Sequence, residues 1–377
     1  MKFHGVEGRN IREIVSEKSP DYFITACVAF LIFFGLVMLA SASADLGKIK
    51  FDDNFYFIKH QLLRGFLPGL IGFLLALKIY YGAYEKYSFL FLAFNVLLLL
   101  LIFSNLGLSA KGAERWLELG PLSIQPSEIL KLSFIVYLAA WLSGEKERQY
   151  SLYKGFIPFI AILGILGSIL LKQSSTSMFG ILLITALIIY LMSGAKLSYL
   201  WGALLIGLIS IASISYFSPY RWNRITTYLK PDANLETTGF HINQARIAIG
   251  AGGLTGVGLG QSTTKISYLP EPIGDSIFAI ISEELGFLGA ATIIIVFALL
   301  SIRILAISKK IPDKFGRLLL MGFGSLIGVQ AFINIGAISG LIPLTGMPLP
   351  FISFGGTALT VFMTMSGIIL NISKYAR

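Results

Sequence analysis

Long apolar runs separated by short polar loops dominate the pattern of this chain. The runs are continuous rather than alternating, so they predict membrane-spanning helices and not the spanning strands of a barrel. Ten runs are long enough to be counted as spans, and they cover about 22–43, 62–80, 87–106, 128–142, 156–171, 178–192, 199–217, 275–307, 318–338 and 351–372.

This pattern predicts an all-α polytopic membrane protein, a single bundle of about ten transmembrane helices. The first apolar run is long enough to span, so we interpret it as a retained helix rather than a cleaved signal. The predicted organisation is an N-terminal segment (1–21), one transmembrane domain (22–372) and a short tail (373–377). A long loop (218–274) separates the seventh and eighth spans.

Composition agrees with a membrane protein, since 55% of the residues are hydrophobic and 13% are charged, against about 25% charged in soluble domains. The net charge is +10, but the basic residues are spread over loops, which disfavours nucleic acid as a partner. The side that carries both termini holds 17 Lys and Arg residues. The positive-inside rule then predicts cytoplasmic termini and an outward-facing 218–274 loop.

Cysteine and histidine are scarce. The chain has one Cys and three scattered His residues, so an intramolecular disulfide, a zinc site and a Ser-His-Asp triad are not expected. Any catalysis should rest on carboxylates, lysines and arginines.

The stretch 268–287 combines two prolines with several carboxylates where the longest polar loop meets an apolar helix. Asp275 lies at the predicted helix start, with Glu271 four residues before it. Carboxylates at a membrane are costly and therefore mark candidate functional sites. The alternative is that Asp275 only caps the helix.

The preceding loop is basic and rich in glycine. Arg246 comes just before a glycine cluster over 250–260, and Lys265 follows it. Such a surface suits a phosphate-bearing lipid head group, because arginine contacts phosphate through two bonds and glycine lets the backbone approach. The alternatives are flexible or re-entrant packing for the glycines and interfacial anchoring for the arginines.

Two further polar clusters lie near the outward side. Pro126 and Ser127 predict a helix start, and Glu128 and Lys131 then share one face of its first turn. They either form a structural pair or line a polar cavity. Gln330 and Asn334, four residues apart, favour interhelical hydrogen bonds.

Together these blocks resemble the SEDS family of shape, elongation, division and sporulation proteins, FtsW and RodA, and more closely the FtsW branch. The matching motifs span about 20–372 and occur in the same order as in the family. The resemblance is carried by the motifs WLELGPLSIQPSE (116–128), AIGAGG (248–253), GLG (258–260), YLPE (268–271) with Asp275, EELG (283–286) and PLPFISFGG (348–356).

The resemblance implies a peptidoglycan glycosyltransferase, an inverting enzyme that polymerises lipid II at the outer face of the cytoplasmic membrane during cell division. It places the catalytic general base at Asp275, where a helix start favours the anion. Substrate binding, including charge neutralisation of the leaving polyprenyl diphosphate, is assigned to Arg115, Glu128, Lys131, Arg246, Lys265, Glu271 and Ser353. Glu128 is expected to orient Lys131.

One block departs from the family, which usually carries a Pro-Asp-x-Gly-Thr run between the fifth and sixth spans. Here 172–177 reads KQSSTS, so Ser174 or Ser175 replaces the acidic residue. No metal ligands are assigned, although a divalent cation stays open. The expected partners are a class B penicillin-binding protein and other division proteins. The alternative functions are a lipid II flippase or a scaffold without activity.

Overall fold

The computed structural model describes residues 19–376, apart from 111–112, 121, 217–218 and 230–238. The predicted N-terminal segment 1–21 therefore lies largely outside the described residues. The long apolar helices are α1 (Tyr22–Phe51), α2 (Tyr56–Lys78), α3 (Gly82–Leu101), α4 (Pro126–Gly144), α5 (Leu152–Lys172), α6 (Thr176–Met192), α7 (Leu197–Tyr216), α10 (Ile277–Ser308), α11 (Lys314–Ile338) and α12 (Gly356–Ser373).

Eight of these helices have the length and composition of membrane spans, and α6 and the Leu197–Ser210 part of α7 are shorter apolar helices. The prediction of a polytopic helical bundle is confirmed. The observed bounds differ most at α1, which ends at Phe51 and so continues about two turns longer than predicted, and at α2, which starts at Tyr56 and not near 62. A π-helical segment (Leu62–Phe66) lies within α2.

A small antiparallel sheet occupies the loop between α3 and α4, where no strand was expected. Its strands are β1 (Gly107–Ala110), β2 (Ala113–Leu119) and β3 (Leu122–Ile124), in that spatial order. Leu117 is buried and pairs with Ile124. Strands this short give no long apolar run, so a search for membrane spans passes over them.

The predicted 218–274 loop is largely helical in its described part. It contains α8 (Pro219–Leu229) and α9 (Phe240–Ala251), and a one-turn helix follows at Thr264–Ser267. Another one-turn helix, Glu147–Tyr150, precedes α5. These helices mix polar and apolar residues and are too short to span, which explains why hydropathy does not reveal them.

Close helix packing at small residues holds α2 against α12. A Cβ added to Gly69 would lie 2.6 Å from Met363 Sδ, and one added to Gly72 would lie 2.2 Å from Thr364 Oγ1. Small residues let helix backbones approach in a membrane, where packing replaces the hydrophobic effect as the main source of association.

Both ends of the described chain lie at the same end of the bundle, called here the terminal end. The Asp21 amide donates to Ser373 Oγ at 3.1 Å, and Arg303 forms an ion pair with Asp21 at 2.7 Å. The Tyr81 amide donates to Asn371 Oδ1 at 3.2 Å. The opposite end, called the loop end, holds the sheet, α8, α9 and the segment 339–355.

Candidate functional site

A cavity of about 220 Å³ opens at the loop end, where four parts of the chain converge. Helix α8, the first turn of α9, the start of α10 and the segment after α11 each contribute to its walls. The lining residues are Asn223, Arg224, Thr227, Tyr228, His241, Ile242, Asp275, Leu344 and Gly346.

Asp275 is in this cavity, and it does not cap the helix that follows. Helix α10 begins at Ile277 with Ser276 as its N-cap residue, so the capping alternative is wrong. The Asp275 carbonyl accepts a hydrogen bond of 2.8 Å from Asn334 Nδ2 on α11. This bond fixes the backbone of Asp275 against the bundle and leaves its side chain to face the cavity.

Arg224 faces the same point from α8. A Cβ on Gly346 would lie 3.7 Å from Asp275 Oδ2 and 3.9 Å from Arg224 Nη2. Nη1 of Arg224 also donates to the Leu344 carbonyl at 3.3 Å and to the Thr345 carbonyl at 3.5 Å. The cavity therefore combines a carboxylate with a guanidinium held by loop backbone.

Arg224 belongs to the basic loop that was predicted to suit a lipid head group, but it was not among the selected substrate-binding residues. Asn223, Arg224, Thr227 and Tyr228 lie on one face of α8, because their spacing matches helical i, i+4 neighbours. This polar face could have indicated a helix in the sequence, but the interpretation of 218–274 as an irregular loop concealed it.

His241 is a second cavity residue that the scattered histidine pattern did not reveal. Its Nε2 lies 2.6 Å from Ser276 Oγ, and Ser276 Oγ donates to the Pro270 carbonyl at 2.7 Å. A hydroxyl has only one hydrogen, so the ring nitrogen must be the donor in the first bond. Burial, and next the charge of Arg224, lowers the pKa of His241 to about 4, which keeps the imidazole neutral near pH 7.

Glu128 and Lys131 lie elsewhere, buried inside the bundle. Lys131 Nζ is 2.6 Å from Glu128 Oε2 and donates to Gln330 Oε1 at 2.8 Å. Neither side chain lines the cavity of Asp275. The bond from Lys131 on α4 to Gln330 on α11 confirms the prediction that Gln330 makes interhelical contacts. Ser127 was predicted as the cap of α4, but Gln125 takes that position.

Lys265 is also buried in an ion pair. Its Nζ lies 2.9 Å from Glu284 Oε1 and also donates to the Gly260 and Ser41 carbonyls at 2.9 and 3.2 Å. Glu283 accepts a hydrogen bond of 2.6 Å from Ser262 Oγ. The ion pair of Glu284 and the hydrogen bond of Glu283 thus hold the loop that precedes α10 against this helix.

The glycine cluster packs against a break in α10. Gly286 has φ 65° and ψ −164° inside this helix. A Cβ on Gly252 would lie 1.9 Å from the Ser282 carbonyl, and one on Gly256 would lie 2.1 Å from the Glu284 carbonyl. These contacts favour the packing alternative for Gly252 and Gly256 over head-group binding.

The remaining predicted residues contact backbone at the loop end. Arg115 donates to the carbonyls of Gln173 and Ser174, and Arg246, which is exposed, donates to the Gly340 carbonyl at 3.2 Å. Arg115 thus holds the segment in which the family's acidic residue is replaced.

Ser353 and Glu271 shape the turn that carries Asp275. Ser353 Oγ donates to the Gly274 carbonyl at 2.7 Å and accepts from the Leu349 amide at 2.8 Å. Glu271 is exposed, with φ 50°, and its carbonyl accepts from the Gly274 amide at 3.0 Å. Both residues therefore act on the position of Asp275 through the backbone.

Comparison with known proteins identifies the family. The family model of FtsW, RodA and SpoVE, described as "Cell cycle protein", matches residues 21–377. The chain belongs to this family. Stage V sporulation protein E of Bacillus subtilis is 38% identical, over 95% of this chain and 98% of that protein. A probable peptidoglycan glycosyltransferase FtsW of Geobacter is 36% identical, over 95% and 97%.

Two solved structures share the fold of this FtsW/RodA/SpoVE family member. A chain of a peptidoglycan synthase complex that coordinates polymerization and crosslinking superposes with a TM-score of 0.76 at 24% identity, covering 94% of this chain and 97% of that chain. RodA of Thermus thermophilus gives a TM-score of 0.70 at 24% identity, covering 94% and 96%.

In the described part of this family member, no group of three or more His, Cys, Asp and Glu residues is placed to hold a metal ion. At the cavity, Asp275 has the guanidinium of Arg224 beside it. One carboxylate next to a fixed cation is a poor ligand set for a divalent ion.

Proposed function

We propose that this protein is a peptidoglycan glycosyltransferase that polymerises lipid II into glycan strands during cell division. The observation that carries the proposal is the placement of Asp275 beside Arg224 in an open cavity at the loop end. The relatives named as FtsW glycosyltransferases cover nearly the whole chain and give this cavity its chemical context.

In the proposed reaction, Asp275 acts as the general base. It takes the proton of the attacking sugar hydroxyl as the hydroxyl oxygen bonds to the anomeric carbon of the donor. The bond between that carbon and the diphosphate oxygen breaks, and the polyprenyl diphosphate leaves with its electron pair. One displacement inverts the anomeric centre and needs no covalent intermediate.

We assign the leaving diphosphate to Arg224. A guanidinium is suited to diphosphate oxygens because its planar donors bind them in pairs, and charge that develops in the transition state is stabilised by fixed donors. Lys131 and Lys265 are buried in ion pairs with Glu128 and Glu284. Arg224 therefore takes the role that the sequence assigned to those two lysines. No step of this proposal uses a metal ion.

The proposed location is the bacterial cytoplasmic membrane at the division septum, with both termini in the cytoplasm and the cavity facing outward. The excess of Lys and Arg on the terminal side supports this orientation. The proposed protein partners are a class B penicillin-binding protein and other division proteins, since a fold neighbour belongs to a peptidoglycan synthase complex. Nucleic acid is not a proposed partner.

The decisive experiment is lipid II polymerisation in proteoliposomes, comparing the wild type with Asp275→Asn, each with and without a co-expressed transpeptidase. Asn keeps the shape of Asp but cannot accept the proton, so glycan synthesis should fall at least about 100-fold. Asn334→Leu is a useful companion variant, because it removes the bond to the Asp275 backbone and leaves the carboxylate. It should reduce the rate less than Asp275→Asn does.

Equal polymerisation by the wild type and Asp275→Asn would refute the general-base role. If the wild type makes no glycan even with its partner, a lipid-flipping assay decides between the flippase and the scaffold. The break in α10 at Gly286 is the feature that favours the flippase, because discontinuous helices are common in transporters.

A further inference from the structure

His241 lies in the cavity with its ring proton fixed on Nε2, and the reaction proposed above gives this residue no role. We propose that Nδ1 of His241 accepts a hydrogen bond from a hydroxyl or amide N–H of the acceptor sugar, so that His241 is a sugar-binding residue of this site. This inference rests on the proposed glycosyltransferase function.

The first argument is the tautomer. Ser276 Oγ gives its hydrogen to the Pro270 carbonyl, so His241 Nε2 carries the ring proton and donates to Ser276. In the neutral ring the other nitrogen then has a lone pair and no hydrogen. Within the described residues, the hydrogen bond of this imidazole to the protein is made through Nε2, and Nδ1 is available to a ligand.

The second argument is the position of the ring. His241 bonds to Ser276, the residue that directly follows Asp275, and both His241 and Asp275 line the cavity. The hydrogen bond to Ser276 therefore holds the imidazole next to the residue that follows the proposed base. A sugar hydroxyl that reaches Asp275 brings the neighbouring polar groups of the same ring close to His241.

The third argument is the distribution of charge. A neutral imidazole lone pair repels phosphate oxygens and attracts hydrogen-bond donors, whereas the guanidinium of Arg224 attracts phosphate oxygens. The cavity thus has a wall for the acceptor sugar, formed by His241 and Asp275, and a wall for the diphosphate, formed by Arg224. In this arrangement the acceptor sugar and the diphosphate of the donor substrate contact different residues.

The test measures equilibrium binding of two probes to the purified full chain in detergent. Lipid II contains both sugar and diphosphate, while polyprenyl diphosphate contains no sugar. His241→Phe keeps a planar ring without either nitrogen and should weaken lipid II binding roughly 3- to 10-fold, the effect of one neutral hydrogen bond. Its affinity for polyprenyl diphosphate should change less than about twofold, because that probe makes no sugar contact.

Two further variants complete the design. His241→Gln retains an N–H for Ser276 and an oxygen acceptor, so it should bind lipid II nearly as the wild type does. Arg224→Gln should weaken the binding of both probes, because both carry the diphosphate that the guanidinium is proposed to bind, whereas His241→Phe should weaken the binding of lipid II alone. In turnover, His241→Phe should raise the KM for lipid II more than it lowers kcat.

Three outcomes would overturn the inference: no loss with His241→Phe, equal loss for both probes, or an equal loss with His241→Gln. Because binding is measured without turnover, these outcomes are distinct from failure of the proposed function. A wild type that binds lipid II but forms no glycan would refute the glycosyltransferase, while the comparison of variants would still decide whether His241 contacts the sugar.

Discussion

At the residue scale, the half-buried histidine of the cavity makes stability depend on pH. The pKa of His241 falls from 6.5 to about 4 in the folded protein, so the unfolded chain binds this proton more readily. Stability from this group is complete above pH 6.5 and is lost as pH falls toward 4. We expect a loss of about 2 kcal/mol by pH 4.5.

The measurement is the thermal unfolding temperature in detergent between pH 7.5 and 4.5, for the wild type and His241→Gln. The glutamine variant does not titrate, so its melting temperature should decrease less over this range. Parallel curves would show that His241 is not held neutral by burial and by Arg224 as the structure indicates.

The buried pair of Glu128 and Lys131 gives a second residue-scale prediction. Lys131→Met leaves the Glu128 carboxylate without its partner inside the bundle, which typically costs about 3–5 kcal/mol. The double variant with Glu128→Gln removes both charges and should recover most of the loss. Thermal unfolding of the wild type, both single variants and the double variant measures this coupling.

The activity of the same four proteins separates structure from substrate binding. If the pair only supports the fold, the double variant should polymerise lipid II at close to the wild-type rate. If it folds well but is inactive, Glu128 and Lys131 contribute to the reaction from inside the bundle, as the sequence analysis proposed.

At the residue scale, the cost of placing a charge in a membrane allows candidate residues to be named from the sequence, whereas proximity in three dimensions does not follow from the sequence. A carboxylate at the loop–helix junction indicated Asp275 without any structure. By contrast, Arg224 and His241 reach Asp275 only through the way α8 and α9 fold back, and no spacing along the chain shows that. Lys265 had the right charge, but Glu284, nineteen residues later, neutralises it.

At the element scale, the break in α10 depends on glycine. Gly286 has φ 65°, and a Cβ there would lie 2.3 Å from the Gly256 amide nitrogen. Gly286→Ala should therefore destabilise the protein by at least about 2 kcal/mol and displace the glycine loop that leads to Lys265.

The matched control is Gly250→Ala in α9, where an added Cβ meets no atom within 4 Å. It should be neutral or slightly stabilising, because alanine is the better helix former. Thermal unfolding of both variants measures the difference. Equal stability would mean that the α10 break does not require the backbone geometry of Gly286.

The prediction of helices and strands was limited in the same way, by contacts that form only in three dimensions. Apolar runs revealed the spanning helices because their length must match the membrane. Helix α8 and strands β1–β3 lack such runs, and tertiary contacts define them. The bond from Arg224 on α8 to the Leu344 carbonyl is one such contact. Hydropathy therefore predicted the bundle but not the structure that encloses its cavity.

At the scale of the whole molecule, the contacts between Asp21, Arg303 and Ser373 bring the two ends of the described chain together. That arrangement requires an even number of spans, and the ten apolar helices among the described residues satisfy this requirement. The charge bias then gives the direction, since the terminal end is the basic one.

This orientation predicts which positions are open to reagents outside the cell. Cys27, the single cysteine, is buried and can be replaced by alanine to give a background without thiols. In that background, Asn105→Cys at the loop end should react with a membrane-impermeant maleimide on intact cells. Ser19→Cys and Lys310→Cys, both exposed at the terminal end, should react only after the membrane is permeabilised.

The two terminal-end positions control for each other, because they lie before α1 and after α10 and should give the same result. Labelling of Lys310→Cys but not of Asn105→Cys on intact cells would show that the orientation is the opposite of the predicted one. An inverted protein would open its cavity to the cytoplasm, where the reaction proposed at Asp275 could not extend an external glycan. The labelling pattern therefore tests the membrane orientation and the proposed external polymerisation together.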